Sequence, residues 1–251
     1  MYLNCHSFHS LRYGTIPLDE LVPQAAACGV SAMALTDINT VTGIYDFIRQ
    51  CTQAGIKPIV GMEFRSEHKL RYIGLAQNAA GLAQMNRFLT SYNFEKKPLP
   101  LAAPFFSDVF IIYPLENAPD ELRDNEYIGI RPDQLQKLVL SKWKKRNAEM
   151  VVLQPVTFRT KKEYNLHRVL RAIDRNVILS RLEPEDTCGK SDKMIPLADL
   201  LNFYEHYPKI VENTQKIIDA CNFTYDFQTP KNKKYYTNSQ KSDIDLLTSL
   251  A

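Results

Sequence analysis

The 251-residue sequence lacks a strong excess of charge, long hydrophobic runs and paired cysteines. Its 31 lysines and arginines are nearly balanced by 28 aspartates and glutamates, which leaves a net charge of +3. That balance argues against a dedicated nucleic-acid clamp, whose surface would be densely basic. No stretch approaches the roughly 20 apolar residues that cross a bilayer, and the N-terminus has no signal-peptide pattern. The sequence therefore predicts a cytoplasmic protein that does not contact a membrane.

The cysteines are odd in number and widely scattered. They are Cys5, Cys28, Cys51, Cys188 and Cys221. The absence of any Cys-x-x-Cys pair excludes a zinc knuckle or a dithiol redox motif, so we expect reduced and mostly buried thiols. No internal repeat is visible, and 45% hydrophobic residues suffice for the core of one main domain.

Strand-like and helical patterns alternate through the first 64 residues. Apolar runs at 1–5, 30–35 and 57–64 predict strands, and helical spacing at 18–26 and 44–54 predicts helices that end before Gly29 and Gly55. Such alternation is typical of parallel strands joined by crossover helices, in which the carboxyl ends of the strands meet at one face. His6, Asp37 and Glu63 all occupy that kind of position.

The remaining sequence predicts strands at 72–76, 109–113, 127–130 and 150–153 and helices at 166–173 and 208–221, with an irregular, proline-rich region at 94–124. After Asp226 the composition becomes polar and lysine-rich, and an apolar pattern begins at 244. We expect one domain over 1–228, followed at 229–251 by a linker and the truncated start of a further region.

Four segments, at 3–7, 34–37, 55–63 and 75–78, carry a family resemblance in their order and spacing. They resemble the PHP (polymerase and histidinol phosphatase) domain of bacterial DNA polymerase III alpha subunits. The segments 211–214 and 231–235 resemble the closing helix of that domain and its exit into the polymerase palm. The resemblance implies an α/β fold, namely a distorted, seven-stranded (βα) TIM-like barrel. In active members it implies a trinuclear metal cluster that hydrolyses phosphate esters, including a 3′–5′ proofreading reaction.

The resemblance also identifies which metal ligands survive. His6, Asp37 and Glu63 match family ligands, and His167 matches a histidine in a later helix. The degenerate ligand positions are Asn4, Ile38, Arg71, Gln154, Pro155 and Thr157. An isoleucine has no lone pair to offer and an arginine repels a cation, so the resemblance implies at most a single divalent ion, zinc, manganese or magnesium.

Each surviving residue also has a structural interpretation, which we favour over metal binding. His6 would form a hydrogen bond at a strand end, Asp37 would cap the following helix, and Glu63 would pair with Arg71. A basic run at 142–146 contains Trp143, and we expect a solvated helix face there rather than a phosphate contact.

Three functions compete on this sequence. The first is a structural PHP module in DNA replication that packs against the remainder of a DNA-directed DNA polymerase, a nucleotidyltransferase, and meets DNA only through the full-length protein. The second is a metal-dependent phosphoesterase or 3′–5′ exonuclease with a reduced site at His6, Asp37 and Glu63. The third is a binding module for other replicase subunits.

Overall fold

The computed structural model describes residues 1–66, 68–138, 143, 146–230 and 232–251. The strands are β1 (Asn4–Cys5), β2 (Ala32–Leu35), β3 (Lys57–Ser66), β4 (Lys69–Ala76), β5 (Val109–Pro114), β6 (Glu126–Ile130), β7 (Met150–Val152) and β8 (Pro155–Val156). The helices are α1 (Leu18–Ala27), α2 (Ile44–Gln53), α3 (Ala79–Glu95), α4 (Leu135–Leu138), α5 (Lys161–Arg175), α6 (Leu197–Phe203), α7 (Pro208–Ala220) and α8 (Gln240–Leu250).

The predicted ends of the first two helices are confirmed. Gly29 and Gly55 follow α1 and α2 with φ angles of +72° and +69°, a conformation that glycine adopts without the Cβ penalty of other residues. The buried side chains of α2 include Ile44, Phe47 and Ile48, at the spacing that places them on one face of the helix. The sequence pattern therefore fixes both the bounds and the buried face of these elements.

A six-stranded mixed sheet forms the centre of an α/β fold, in the order β2-β3-β4-β5-β6-β7. The pair β2/β3 is parallel, as predicted, and the pairs β5/β6 and β6/β7 are parallel as well. The regular (βα) repeat that the family resemblance implies does not extend to β4, which runs antiparallel to both β3 and β5. The cause is the short connection after Ser66, because a parallel crossover needs about a dozen residues and a hairpin needs only a few.

The first strand lies beside β2 and also pairs with the last strand. The amides of Ala34 and Thr36 donate to the carbonyls of Tyr2 and Cys5 at 2.7 and 2.9 Å. On its other side β1 pairs in parallel with β8, with Asn4 opposite Pro155. Only residues 153–154 separate β8 from β7, so the chain reaches both edges of the strand array within a few residues.

Helix α7 is joined to β7 by polar side chains of the 211–214 motif. The Asn213 amide donates to the Met150 carbonyl at 3.0 Å, and the Thr214 hydroxyl accepts from the Val152 amide at 2.8 Å. Both side chains are buried. These bonds satisfy backbone groups at both ends of β7, so the motif fixes the helix on the sheet.

One apolar core extends from Met1 to Phe223, whereas α8 contains no buried residue. All five cysteines are free thiols, four of them buried, as predicted. Helix α3 was not foreseen from the sequence. Its N-cap is Asn78, whose side-chain oxygen accepts from the Ala80 and Gly81 amides.

Of the helices that the structure describes, none combines the length and apolar character needed to cross a membrane. In the basic run at 142–146, Lys142, Lys144 and Lys145 lie outside the described residues. The expectation of a solvated face is wrong for Trp143, which is buried, with the Arg146 guanidinium 4.8 Å from its ring centroid.

Candidate functional site

The three surviving family positions lie on three adjacent strands. His6 follows β1, Asp37 follows β2, and Glu63 lies within β3. All three side chains are about 1% exposed. The strand order therefore brings them to one region, as the sequence predicts, but their contacts divide them into two separate networks.

Glu63 is the centre of the first network. Its Oε2 accepts from the Asn4 amide at 2.7 Å and lies 2.9 Å from His6 Nε2, while its Oε1 accepts from the Arg65 guanidinium. Burial alone would raise the pKa of Glu63, but Arg65 and His6 hold it well below its usual range. Both carboxylate oxygens are thus engaged by protein donors.

His6 uses both ring nitrogens within the protein. Because a carboxylate only accepts hydrogen bonds, Nε2 carries the proton that is donated to Glu63. The other nitrogen, Nδ1, lies 3.0 Å from the Thr157 hydroxyl. The expected hydrogen bond at a strand end is therefore present on each side of the ring, and neither nitrogen points to an open coordination position.

Asp37 belongs to the second network, which holds the loop after β1. Its oxygens accept from the Ser7 amide at 2.7 Å, the Ser7 hydroxyl at 2.7 Å and the Ser10 hydroxyl at 2.6 Å. Burial raises the pKa of Asp37, and the hydrogen bonds from Ser7 and Ser10 oppose that shift. The prediction that Asp37 caps the next helix is wrong, because α2 begins several residues later with Gly43 as its N-cap.

The arginine that pairs with Glu63 is Arg65 rather than Arg71, so the sequence-based pairing named the wrong residue. Residues two apart on a strand share a face, and Arg65 therefore lies beside Glu63. A break in the β3/β4 register between Phe64 and Arg65 accompanies this contact. Arg71 lies on β4, within the strand rather than before it.

The other degenerate ligand positions have structural contacts. The Gln154 side chain donates to the carbonyls of Ser191 and Lys193 at 2.8 and 3.1 Å. Ile38 packs against the small cluster of Tyr13, Phe158 and Cys188. Pro155 lies on β8, opposite Asn4 of β1. As described above, the Asn4 side chain donates to Glu63, and the Thr157 hydroxyl lies next to His6.

His167 is fully buried and contacts the loop that follows β1. Its Nδ1 lies 2.7 Å from the Tyr13 carbonyl, and its Nε2 accepts from the Cys188 amide at 2.9 Å. An acceptor at Nε2 and a carbonyl at Nδ1 require the neutral ring protonated on Nδ1. Burial lowers the pKa of His167 to about 4, in agreement with that assignment.

Tyr13 connects these groups, and sequence reasoning missed it. The Arg65 guanidinium carbon lies 4.1 Å from the Tyr13 ring centroid, and Arg65 also donates to the Tyr13 hydroxyl at 2.9 Å. The ring meets His6 and His167 edge-on, at centroid distances of 5.3 and 4.6 Å. No periodic pattern marks Tyr13, whereas the i, i+2 spacing of Glu63 and Arg65 was a usable signal.

A cleft of about 560 Å³ opens above Glu63 and contains a second arginine pair. Arg131 donates to buried Asp192, whose other oxygen accepts from the Gly189 amide at 2.9 Å. Burial raises the pKa of Asp192, and Arg131 opposes that shift. Asp192 and Arg131 come from distant parts of the chain, so only the folded structure could identify them.

The residues present do not fit a metal cluster. Within the described ranges, no group of three His, Cys, Asp or Glu side chains is placed to hold an ion. Guanidinium groups contact Glu63 and Asp192, where a cluster would need open carboxylate oxygens. In this cleft, guanidinium groups therefore occupy carboxylate oxygens that a divalent ion would need as ligands.

The family model and the most similar curated proteins point to the same family. Residues 3–108 match the model of the PHP domain. The chain is 22% identical to an error-prone DNA polymerase of Symbiobacterium thermophilum, over 100% of this chain and 28% of that protein. It is 24% identical to a DNA polymerase III subunit alpha of Halalkalibacterium halodurans, over 100% and 25% respectively, and 25% identical to that of Staphylococcus aureus, over 96% and 23%. The chain thus spans about a quarter of the length of these relatives.

Two solved structures are more distant. A two-domain protein from Bacteroides vulgatus, described as containing a predicted PHP-like metal-dependent phosphoesterase, has a TM-score of 0.35 at 11% identity, over 87% of this chain and 62% of that one. An amidohydrolase from Chromobacterium violaceum has a TM-score of 0.32 at 14% identity, over 79% and 88%. Scores this low carry no conclusion about activity.

The chain contains a PHP domain, and along its length it is homologous to part of bacterial DNA polymerase III alpha subunits.

Proposed function

We propose that this chain is the N-terminal PHP domain of a bacterial DNA polymerase III alpha subunit, with a structural role in the cytoplasmic replication enzyme. Nucleotide transfer, and contact with the template where that transfer takes place, would belong to the remainder of the polymerase. The observation that carries the proposal is the buried contact between Arg65 and Glu63. A guanidinium at that carboxylate supplies the positive charge that a metal ion would supply, without an exchangeable water for hydrolysis.

The strand pairing supports a closed barrel as the form of this domain. If β7 and β8 are counted as one strand interrupted at 153–154, seven strands follow one another around the sheet and β8 returns to β1. The domain would occupy 1–228, since the core ends near Phe223, and 229–251 would be the connection into the polymerase.

An exposed apolar surface supports the remainder of the polymerase as the partner. Val169, Ile173, Val177 and Ile178 line a concavity of about 810 Å³ at the end of α5 and the loop that follows. Ile173 and Ile178 are 60% and 64% exposed. Contiguous exposed apolar side chains mark interaction surfaces, and the relatives are about four times as long as this chain. Other replicase subunits are a less specific proposal for the same surface.

The reduced phosphoesterase site remains the competing function, and the contacts weigh against it. Asp37 accepts hydrogen bonds from Ser7 and Ser10 and is not placed to bind the same ion as Glu63. A single metal ion, whether zinc, manganese or magnesium, would have to displace Arg65 from Glu63 and replace the hydrogen bond between His6 Nε2 and Glu63. Each change would leave a buried charged or polar group without its partner, at a cost of several kcal/mol.

The proposal is tested by metal analysis and nuclease assay of the chain. We expect metal content far below one ion per chain after growth with zinc and manganese, and DNA 3′-end hydrolysis equal to that of Glu63→Gln. Stoichiometric metal that is lost in Glu63→Gln, together with hydrolysis that is lost in Asp37→Asn, would establish the phosphoesterase instead. In the full-length polymerase, Ile173→Asp should weaken the packing of this domain and lower the thermal stability of the whole enzyme, whereas Leu11→Asp, at another exposed site, should not.

A further inference from the structure

A basic concavity lies outside the cleft, beside the first half of α5. Its volume is about 430 Å³. Its lining includes two aromatic and four basic residues, namely Phe158, Tyr164, Lys161, Arg168, Lys190 and Lys193. The 158–168 segment supplies one wall and the 190–193 segment supplies the other. This concavity shares none of its lining residues with the cleft above Glu63.

The cations of this surface are not neutralised. Lys161, Lys190 and Lys193 are exposed, and Arg168 is half-buried. Among the residues that the structure describes, no carboxylate lies within 4.0 Å of any of these four charged groups. Arg159 shows the contrast on the same wall, because it pairs with both Glu20 and Glu163. In a chain whose net charge is only +3, four uncompensated cations around one concavity form a distinct electrostatic feature.

An aromatic ring lies among these cations. Tyr164 is half-buried, and its ring is held by Phe158 at a centroid distance of 5.0 Å. It also lies nearly parallel to the His167 ring, at an interplanar angle of 18°. A ring held in place on a basic surface is what distinguishes recognition of nucleobases from attraction of any polyanion, since every base can stack on an aromatic face.

We infer that this concavity binds the backbone of single-stranded nucleic acid. Lys161, Lys190, Lys193 and Arg168 contact successive phosphates, and Tyr164 stacks against a base. The inference is independent of the structural role proposed above, because it concerns a different face and requires no hydrolysis. It also agrees with the balanced overall charge, which predicts weak and strongly salt-dependent binding by this chain rather than a clamp.

The test compares two variants with the same change in net charge. Lys161→Gln/Lys190→Gln/Lys193→Gln removes three cations of the concavity, and Lys96→Gln/Lys233→Gln/Lys241→Gln removes three exposed cations elsewhere. Binding of a fluorescent oligo-dT of about 20 nucleotides is measured by anisotropy over a salt series. We expect the first variant to lose affinity about tenfold at low salt, with the slope of log K against log salt reduced by about 2. The second should remain within about twofold of the parent chain.

Tyr164→Leu separates stacking from charge. We expect about fivefold weaker binding with an unchanged salt slope, because a stacking contact is lost and every cation is kept. Thermal unfolding of each variant close to that of the parent chain confirms that the fold is intact. Equal loss in the two triple variants, no binding by the parent chain, or equally effective competition by polyglutamate would each overturn the inference. The metal and nuclease assays are unaffected by any of these outcomes.

Discussion

Arg65 donates to Glu63 from two residues further along the same strand, and Glu63 is fully buried whereas Arg65 is partly buried at the wall of the cleft. A buried carboxylate without a partner is very unfavourable, whereas a buried pair is close to neutral relative to an apolar pair of similar size. The two residues therefore depend on each other. Removal of one partner should cost far more than removal of both.

Arg65→Met should destabilise the chain by about 3–5 kcal/mol, because Glu63 would keep only His6 and Asn4 as partners. The double variant Arg65→Met/Glu63→Gln should recover most of that loss. Urea unfolding measures both values. Arg49→Met is the matched control, since its ion pair with Asp46 is exposed and should contribute less than about 1 kcal/mol. A double variant as unstable as Arg65→Met would contradict this account.

Acid should destabilise the fold through His167, whose pKa is lowered by burial to about 4. The pKa of a histidine in the unfolded chain is about 6.5. Between about pH 6.5 and 4 the unfolded chain therefore binds a proton at this position and the folded chain does not, so the free energy of unfolding falls as the pH falls. The full effect is about 3 kcal/mol. Burial raises the pKa of Asp37 and of Asp192, which act in the opposite sense, so the difference between parent and His167→Gln isolates the contribution of His167.

Urea unfolding at a series of pH values measures that difference. The variant should be less stable at neutral pH, because it loses a bond to Tyr13 or to Cys188, and should show a weaker pH dependence between about 4 and 6.5. His206→Gln, at an exposed position, should leave the profile unchanged. Parallel profiles for the parent and His167→Gln would show that His167 does not titrate as described.

Asp37→Ala should loosen the loop after β1. The Ser7 amide and the hydroxyls of Ser7 and Ser10 would lose their acceptor, at a cost of about 3 kcal/mol. Hydrogen exchange of the Ser7 amide and urea unfolding report this change, and Asp46→Ala provides an exposed control. Unchanged protection of the Ser7 amide would argue that Asp37 is held for another purpose, such as an ion.

Thr214→Val should destabilise the junction of α7 and β7 by about 1–3 kcal/mol, because the buried Val152 amide would have no acceptor. The side chain keeps its size, so no cavity contributes. Urea unfolding measures the loss. Thr248→Val on exposed α8 removes a similar hydroxyl bond, to the Ile244 carbonyl, and should change stability by less than about 0.5 kcal/mol. Similar losses at the two positions would contradict the role assigned to Thr214.

Much of the fold could be predicted because local patterns determine it. The apolar face of α2 and the glycines after α1 and α2 mark their elements within a few residues. The direction of β4 could not be read from its own residues, because hydropathy does not distinguish parallel from antiparallel strands. Helix α3 was missed since Asn78 was recognised as part of a family motif and not as a cap.

For the candidate site, the sequence identified which positions matter but not what they contact. His6 and Glu63 meet as expected. The partner of Asp37 depends on how the loop at 7–10 folds back, and the pairing of Arg131 with Asp192 joins residues 61 positions apart. Such contacts arise from tertiary packing, which a single sequence does not encode in a local period.

The pairing of Asn4 with Pro155 has a consequence for how the chain reaches its native state. A first strand whose partner lies about 150 residues later cannot complete its hydrogen bonds while the ribosome has made only the first half of the chain. The early strands would therefore keep one unpaired edge until β8 is available. Pairing of this short strand with β1 would be the last step of folding. Contacts of such long sequence separation slow folding, so assembly of the cleft above Glu63 should be a late event.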